Sequence, residues 1–216
     1  MIKSKRLTFL EKASFVLSKD KKEIIVGCLL GDVYIQKQSG SLNARLMFRQ
    51  GLVHEAYLLH LFDLFKGYSS FDQLNEQKHS LSLKSTKKIY TTKYFYTRSL
   101  PCFNQYYELF YLDGKKIVPK IIGELFTAKS LAYLCCDDGS KQKDNFVLCT
   151  ESFNKDDNLL LIQTLKDNFG LNCTLQKTNS TEDKIKYRIY IKSDSIFKFK
   201  QLVKPYFIPS MLYKLD

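Results

Sequence analysis

Two carboxylates stand where a carboxylate is hard to keep. Asp32 ends the apolar run Ile25-Val26-Gly27-Cys28-Leu29-Leu30-Gly31, and Asp138 ends the run Leu131-Ala132-Tyr133-Leu134-Cys135-Cys136-Asp137. Both runs read as helices whose last turn holds the acid. There the charge meets the negative end of the helix dipole, and apolar neighbours disfavour an unpaired charge. One such run is common as a core helix with a boundary residue. Two of them, 106 positions apart in halves of similar order, point to a shared task. A divalent cation is the natural compensator, and two carboxylates beside Mg²⁺ suit metal-assisted phosphodiester hydrolysis. Gly27 and Gly31 lie four apart on one helix face, a spacing that lets a second backbone approach closely. If the two runs pack together, Asp32 and Asp138 emerge side by side at their ends.

The elements that must position these acids follow from caps, turns and periodicity. Ser18 or Asp20 caps the first helix, with Asp20 and Glu23 at the spacing of a capping box. It runs to Gly31 or Asp32 after a basic lead-in over 1–17. Strands over 33–38 and 43–49 flank the turn Ser39-Gly40-Ser41. A helix over 54–66, a hairpin over 80–97 and a helix over 101–112 complete the first half. Thr127 caps the second helix, followed by a hairpin at 140–151, a helix at 155–169, a hairpin at 172–192 and a helix at 194–204. Each half reads α-β-β-α-β-β-α, an α/β (α+β) class built on antiparallel hairpins. The expected division is 1–112, a connection over 113–122 starting at the turn Asp113-Gly114-Lys115-Lys116, and 123–216. No Gly/Ser-rich or Pro-rich tether separates the halves, so they are expected to dock rigidly.

Side chains alternate along a strand. Val33 and Ile35 should face a core, leaving Tyr34, Gln36 and Gln38 outward. Leu46 and Phe48 should face in, leaving Arg45, Met47 and Arg49 out. In the second half Leu175, Ile189 and Ile191 face in, while Thr174, Gln176, Thr178, Lys186, Arg188 and Tyr190 face out. Gln and Arg on a two-stranded ribbon suit base edges in the major groove of DNA.

The 34 Lys and Arg against 22 Asp and Glu leave a net charge of +12, which favours a polyanionic partner. No basic amphipathic helix stands out and no apolar run nears the ~18 residues of a membrane span, so nucleic acid is expected rather than membrane. The basic start is not followed by the long apolar stretch of a secretory signal. The six Cys show no metal-ligand spacing, with Cys135 and Cys136 adjacent in an apolar run, so reduced thiols are expected. His54, His60 and His79 form no ligand set.

The two runs resemble the paired signature motifs of the LAGLIDADG homing endonucleases, in the single-chain form with both halves fused. The second run, the preceding Lys115-Lys116-Ile117-Val118-Pro119 and the following Val147-Leu148-Cys149-Thr150-Glu151-Ser152-Phe153 are similar to the organellar omega-intron type. So is the tail from Leu202 through Lys204-Pro205-Tyr206-Phe207-Ile208-Pro209 to Leu215. Coverage runs from about residue 20 to the end. The resemblance implies a monomer with motif helices at the centre and saddle-shaped antiparallel sheets over double-stranded DNA. It implies Mg²⁺, with Mn²⁺ or Ca²⁺ able to substitute for binding, held by Asp32 and Asp138 with Gly31 and Asp137 contributing. Tyr133 and Asp137 depart from the usual small residues of the motif, and Asp138 rather than Asp137 matches the metal position. Lys116 and Lys214 match the basic pair that flanks the active sites, placing them with the two acids as catalytic. Lys93, Gln142 and Thr150 join the outward strand residues as expected DNA contacts. Mitochondrial or chloroplast origin is implied too.

Three functions fit these residues: a DNA endonuclease promoting intron mobility, an RNA maturase assisting a group I intron through its RNA, and a non-catalytic DNA-binding regulator. Retention of both motif acids favours the first.

Overall fold

A computed structural model describes residues 7–83, 86–178 and 185–216, with backbone alone over 81–89. The tips of the hairpins expected at 80–97 and 172–192, and the start of the lead-in, lie outside the described residues.

The elements run α1 (Phe9–Ala13), α2 (Lys19–Leu30), β1 (Tyr34–Lys37), β2 (Ala44–Gly51), α3 (Glu55–Phe65), β3 (Asn75–Leu83), β4 (Thr86–Tyr96) and α4 (Asn104–Phe110). They continue with β5 (Tyr111–Leu112), β6 (Lys115–Lys116), α5 (Ile122–Leu125), α6 (Ala128–Asp138), β7 (Gly139–Gln142), β8 (Asn145–Leu148), α7 (Lys155–Phe169), β9 (Cys173–Thr178), β10 (Lys186–Ile191) and α8 (Ser193–Val203). The class is mixed helix and antiparallel sheet, as expected. Val33–Tyr107, with the segment ending at Leu17, forms one compact unit, and Ser18–Asp32 with Glu108–Asp216 forms another. Helix α2 thus groups with α6.

Each unit carries one four-stranded antiparallel sheet, in the order β1-β2-β4-β3 and β7-β8-β10-β9. The two connectivities are the same, so the repeated order of elements has a repeated topology. In the first unit α3 covers one sheet face. Phe48 and Phe95 stack at 4.5 Å between ring centres, and Phe62 and Phe65 meet them from the helix. In the second unit α7 and α8 cover the sheet, with Phe146 and Phe199 4.6 Å apart over Leu148, Ile189 and Ile191.

Local signals explain most boundaries. Ser18 caps α2 by accepting the Lys21 amide, so Asp20 falls inside the first turn. Thr127 caps α6 through the Ser130 amide. Asn154 caps α7, which stops at Gly170 in the left-handed conformation (φ 60°). The helix expected over 101–112 is shorter. It starts as a 3-10 turn at Pro101 and ends at Phe110, because Asp113 (φ 50°) and Gly114 (φ 74°) fold 111–116 into the small β5–β6 hairpin. The lead-in holds α1, closed by a reciprocal Thr8–Glu11 capping box.

Candidate active site

The two acid-bearing helices are in contact, and glycine is the reason. A Cβ built on Gly27 would lie 2.2 Å from the Ser130 carbonyl oxygen and 2.9 Å from Tyr133 Cβ. A Cβ on Gly31 would lie 2.6 Å from both Cβ and Oδ2 of Asp137. Backbones therefore meet where α2 crosses α6. The Ser130 hydroxyl donates to the Glu23 carbonyl at 2.8 Å, and Lys129 pairs with Asp20 at the other end of the crossing. Cys28, Cys135 and Cys136 are buried free thiols on the two helices.

This crossing brings the C-terminal ends of both helices together. The last carbonyls of a helix have no partner within it. Here two lysines take them. Lys116, placed by the β5–β6 hairpin opposite Tyr111, donates to the Gly31 carbonyl at 2.6 Å. Lys214, from the 3-10 turns over Pro209–Lys214, donates to Cys136 O at 2.5 Å, Asp137 O at 3.0 Å and Cys135 O at 3.3 Å. Each motif helix thus ends on an ammonium that opposes its dipole. Lys214 is 9% exposed. Lys214→Met would strand those carbonyls, and is expected to lower the unfolding free energy by about 1–3 kcal/mol. An unchanged urea midpoint would refute the cap.

Between the lysines lie the acids. Asp32 is exposed and Asp138 half-buried. Asp137 turns its carboxylate to the Asp32 amide at 3.3 Å, inside the helix seam. Burial, and then the charge of Asp32, push the Asp138 carboxyl up to about 7, against the pull of Lys116 and Lys214. Burial lowers the Lys116 ammonium, while Asp138, Asp137 and Asp32 oppose that shift. Asp32 raises Asp138, and a pair of neighbouring carboxylates at such a place favours a bound cation.

The outward strand residues divide. Tyr34 and Gln38 are exposed and Gln36 is half-buried. Arg45 lies over the Tyr96 ring (4.3 Å to its centre) and Arg49 over Tyr94 (5.4 Å), with Arg49 Nη2 donating to Gln77 Oε1 at 3.0 Å. Lys93 pairs with Glu55, and Arg188 with Glu151. Gln142, Gln176 and Lys186 are exposed, while Thr174, Thr178 and Tyr190 are half-buried. Two expectations are corrected. Met47 is 4% exposed, because it sits between its cross-strand partners Tyr34 and Tyr96. Thr150 is 1% exposed and gives its hydroxyl to Asn158 Oδ1 at 2.5 Å, so it belongs to the core network under α7. Alternation predicts direction, not whether a neighbour covers the residue. Tyr94, Tyr96 and Gln77 are placed by cross-strand register, and Glu55 and Glu151 by tertiary packing, neither of which the sequence displays.

The sequence profile of the LAGLIDADG DNA endonuclease family matches residues 22–199. A curated relative, the cytochrome b mRNA maturase bI2 of Debaryomyces hansenii, is 31% identical over 199 residues, covering 92% of this chain and 74% of its own. The probable intron-encoded endonuclease 1 of Wickerhamomyces canadensis is 33% identical over 221 residues, covering 98% of this chain and 90% of its own. Among solved structures, the homing endonuclease I-WcaI bound to its DNA recognition sequence superimposes with a TM-score of 0.81 at 31% identity, over 94% of this chain and 88% of that one. The shared motif helices, the matched profile and the similarity along nearly the whole chain agree: this protein belongs to the LAGLIDADG DNA endonuclease family.

Proposed function

We propose that the chain is a site-specific homing endonuclease that makes a double-strand break in a long DNA target by Mg²⁺-dependent phosphodiester hydrolysis. The observation that carries this reading is the meeting of the α2 and α6 ends, with Asp32 and Asp138 in electrostatic contact and Asp138 pushed up to about 7. The donor set fits Mg²⁺. Among the described residues no cluster of three or more His, Cys, Asp or Glu forms a closed cage. Two carboxylates, joined by the second lone pairs of the Gly31 and Asp137 carbonyls that Lys116 and Lys214 also reach, match an ion that is usually held by one or two carboxylates and completes its shell with water and phosphate oxygens. When bound, the metal supplies an activated water and charge for the leaving oxygen. Asp32 and Asp138 orient it, each serving one strand. Lys116 and Lys214 hold the carbonyl ends fixed, so that the acids do not shift as phosphate charge arrives.

The halves 1–112 and 123–216, joined by 113–122, would each present a sheet to the duplex, in a monomer acting on both strands. Arg49, braced by Tyr94 and Gln77, is set to read bases. Arg49→Ala is expected to relax preference at one or two base pairs, costing about 1–3 kcal/mol if the contact is bidentate. A profile of cleavage over single-base variants checks this, and an unchanged shape would remove Arg49 from the readers. The main experiment incubates the chain with DNA spanning the intronless junction, with Mg²⁺ or with EDTA. Linear product is expected with metal alone, and cleavage in EDTA would refute the metal assignment.

Promotion of intron mobility and a mitochondrial or chloroplast setting belong to the same reading. The likeness to a protein named as a maturase favours a second one, in which the chain also assists splicing of its host intron RNA. Adding it to that RNA, and scoring spliced product, tests this separately.

A further inference from the structure

The first unit holds a cationic feature that the helix ends do not use. A pocket of about 370 Å³ is lined by Lys12 of α1, Gln38, Arg45, Tyr96 and Arg98 among others. Three of its lining residues are cations, and among the described residues none is a carboxylate. Glu11, next to Lys12, has an oxygen accepting the Thr8 amide at 2.7 Å. Arg98 is fixed from behind, its amide donating to Tyr68 O at 2.7 Å and its Nε to Ser69 O at 3.2 Å. Among the described residues, none takes its remaining guanidinium N–H groups.

Arg45 is fixed as well. With the Gln36 and Gln38 amide oxygens turned to the guanidinium, Gln36 accepts from Nη2 and Nε at 2.7 and 3.0 Å. Gln38 accepts from Nη2 and Nη1 at 3.0 and 3.2 Å. Tyr96 closes the ring face. These four contacts use most of the five N–H donors of an arginine. Bidentate reading of a guanine needs a free fork, and Arg45 has already spent its fork. What it retains is its charge.

We propose that this pocket seats one backbone phosphate of the DNA duplex, with Lys12 and Arg98 as donors and Arg45 as a fixed charge that also aims Gln36 and Gln38. The proposal rests on the reading of the chain as a DNA endonuclease. A phosphodiester is the anion that a duplex offers at every step, and arginine suits it through paired N–H groups. Such a contact carries no sequence information, but it sets the register in which neighbouring side chains meet base edges. Its neighbours here are Gln36 and Gln38. Arg45, by its position on the strand a candidate base reader, becomes a positioning residue for them.

The test is equilibrium binding to the cleaved duplex, with Ca²⁺ in place of Mg²⁺, at a series of salt concentrations. Lys12→Gln and Arg98→Gln are each expected to reduce the steepness of log K against log salt by about 0.9. Both should weaken every single-base variant of the target by the same factor. Arg98→Lys keeps the charge and should restore the slope, which a merely structural role for the Arg98 side chain would not produce. A scan of neutral methylphosphonate linkages should find one position where the wild type loses what Arg98→Gln has already lost. Unchanged slopes, a change in base preference in the Lys12 or Arg98 variants, or a scan without such a position would overturn the pocket while leaving the endonuclease reading intact. A wild-type chain that binds no duplex would instead refute the reading beneath it.

Discussion

Asp32→Asn and Asp138→Asn are each expected to slow double-strand cleavage by about 10²–10³-fold or more, the loss that follows removal of one preorganised charge from a site of this kind. DNA binding should survive, because neither side chain belongs to a sheet face. The Asp138 variant carries a second signature. Its carboxyl is pushed from an ordinary 3.8 up to about 7 by burial and by Asp32. The sign follows from the raised value. In the unfolded chain the group ionises near 3.8, whereas in the metal-free fold it holds its proton to about 7, so this group's stabilising share is lost as pH climbs between the two. Metal-free Asp138→Asn should therefore melt higher than wild type at pH 8 and by less at pH 4. Mg²⁺ should raise the wild-type melting temperature at pH 8 through binding to the folded state alone, and raise that of the variant little. A variant that cleaves at full rate would sink the catalytic assignment. A metal-free melting temperature unchanged by Asp138→Asn at pH 8 would sink the electrostatic one.

Gly27→Ala should be among the most destabilising single-methyl additions in the chain. Two effects compete. Alanine favours a helix interior over glycine by about 0.8–1 kcal/mol. Against that stands a carbon placed 2.2 Å from the Ser130 carbonyl oxygen, which is backbone and cannot rotate away. Overpacking of a tight contact costs about 1–3 kcal/mol, and more where backbone must move. The net loss is expected to be about 2 kcal/mol or more, read as a melting temperature lower by about 4–8 °C for a chain of this size. Gly123→Ala is the control. It lies in α5 with nothing within 4 Å of a built Cβ, so the same change there should be neutral or stabilising. If both variants melt alike, close α2–α6 approach is not what Gly27 is for. Cleavage should fall in Gly27→Ala too, since Asp32 and Asp138 are held by the same crossing.

Much of this was legible in the residues. Apolar runs ending in Asp32 and Asp138 announce helices that must meet, because an acid there is tolerable only beside compensating charge. The Gly27–Gly31 spacing states how closely they meet. Caps at Ser18 and Thr127, and the doubled order of helices and hairpins, follow from local chemistry that acts within a few residues of itself. What only the tertiary structure decided is long-range in origin. Met47 and Thr150 are covered by neighbours distant in sequence. Arg45 is bound by Gln36 and Gln38 across a strand pair, and Lys12 comes beside Arg98 only through the fold. The lysines show the division most plainly. The resemblance picks out Lys116 and Lys214 in the sequence, but not the carbonyls that they touch. The β5–β6 hairpin and the C-terminal turns bring them to the open carbonyls of two helices, because a buried helix end must find a donor and the chain elsewhere provides it.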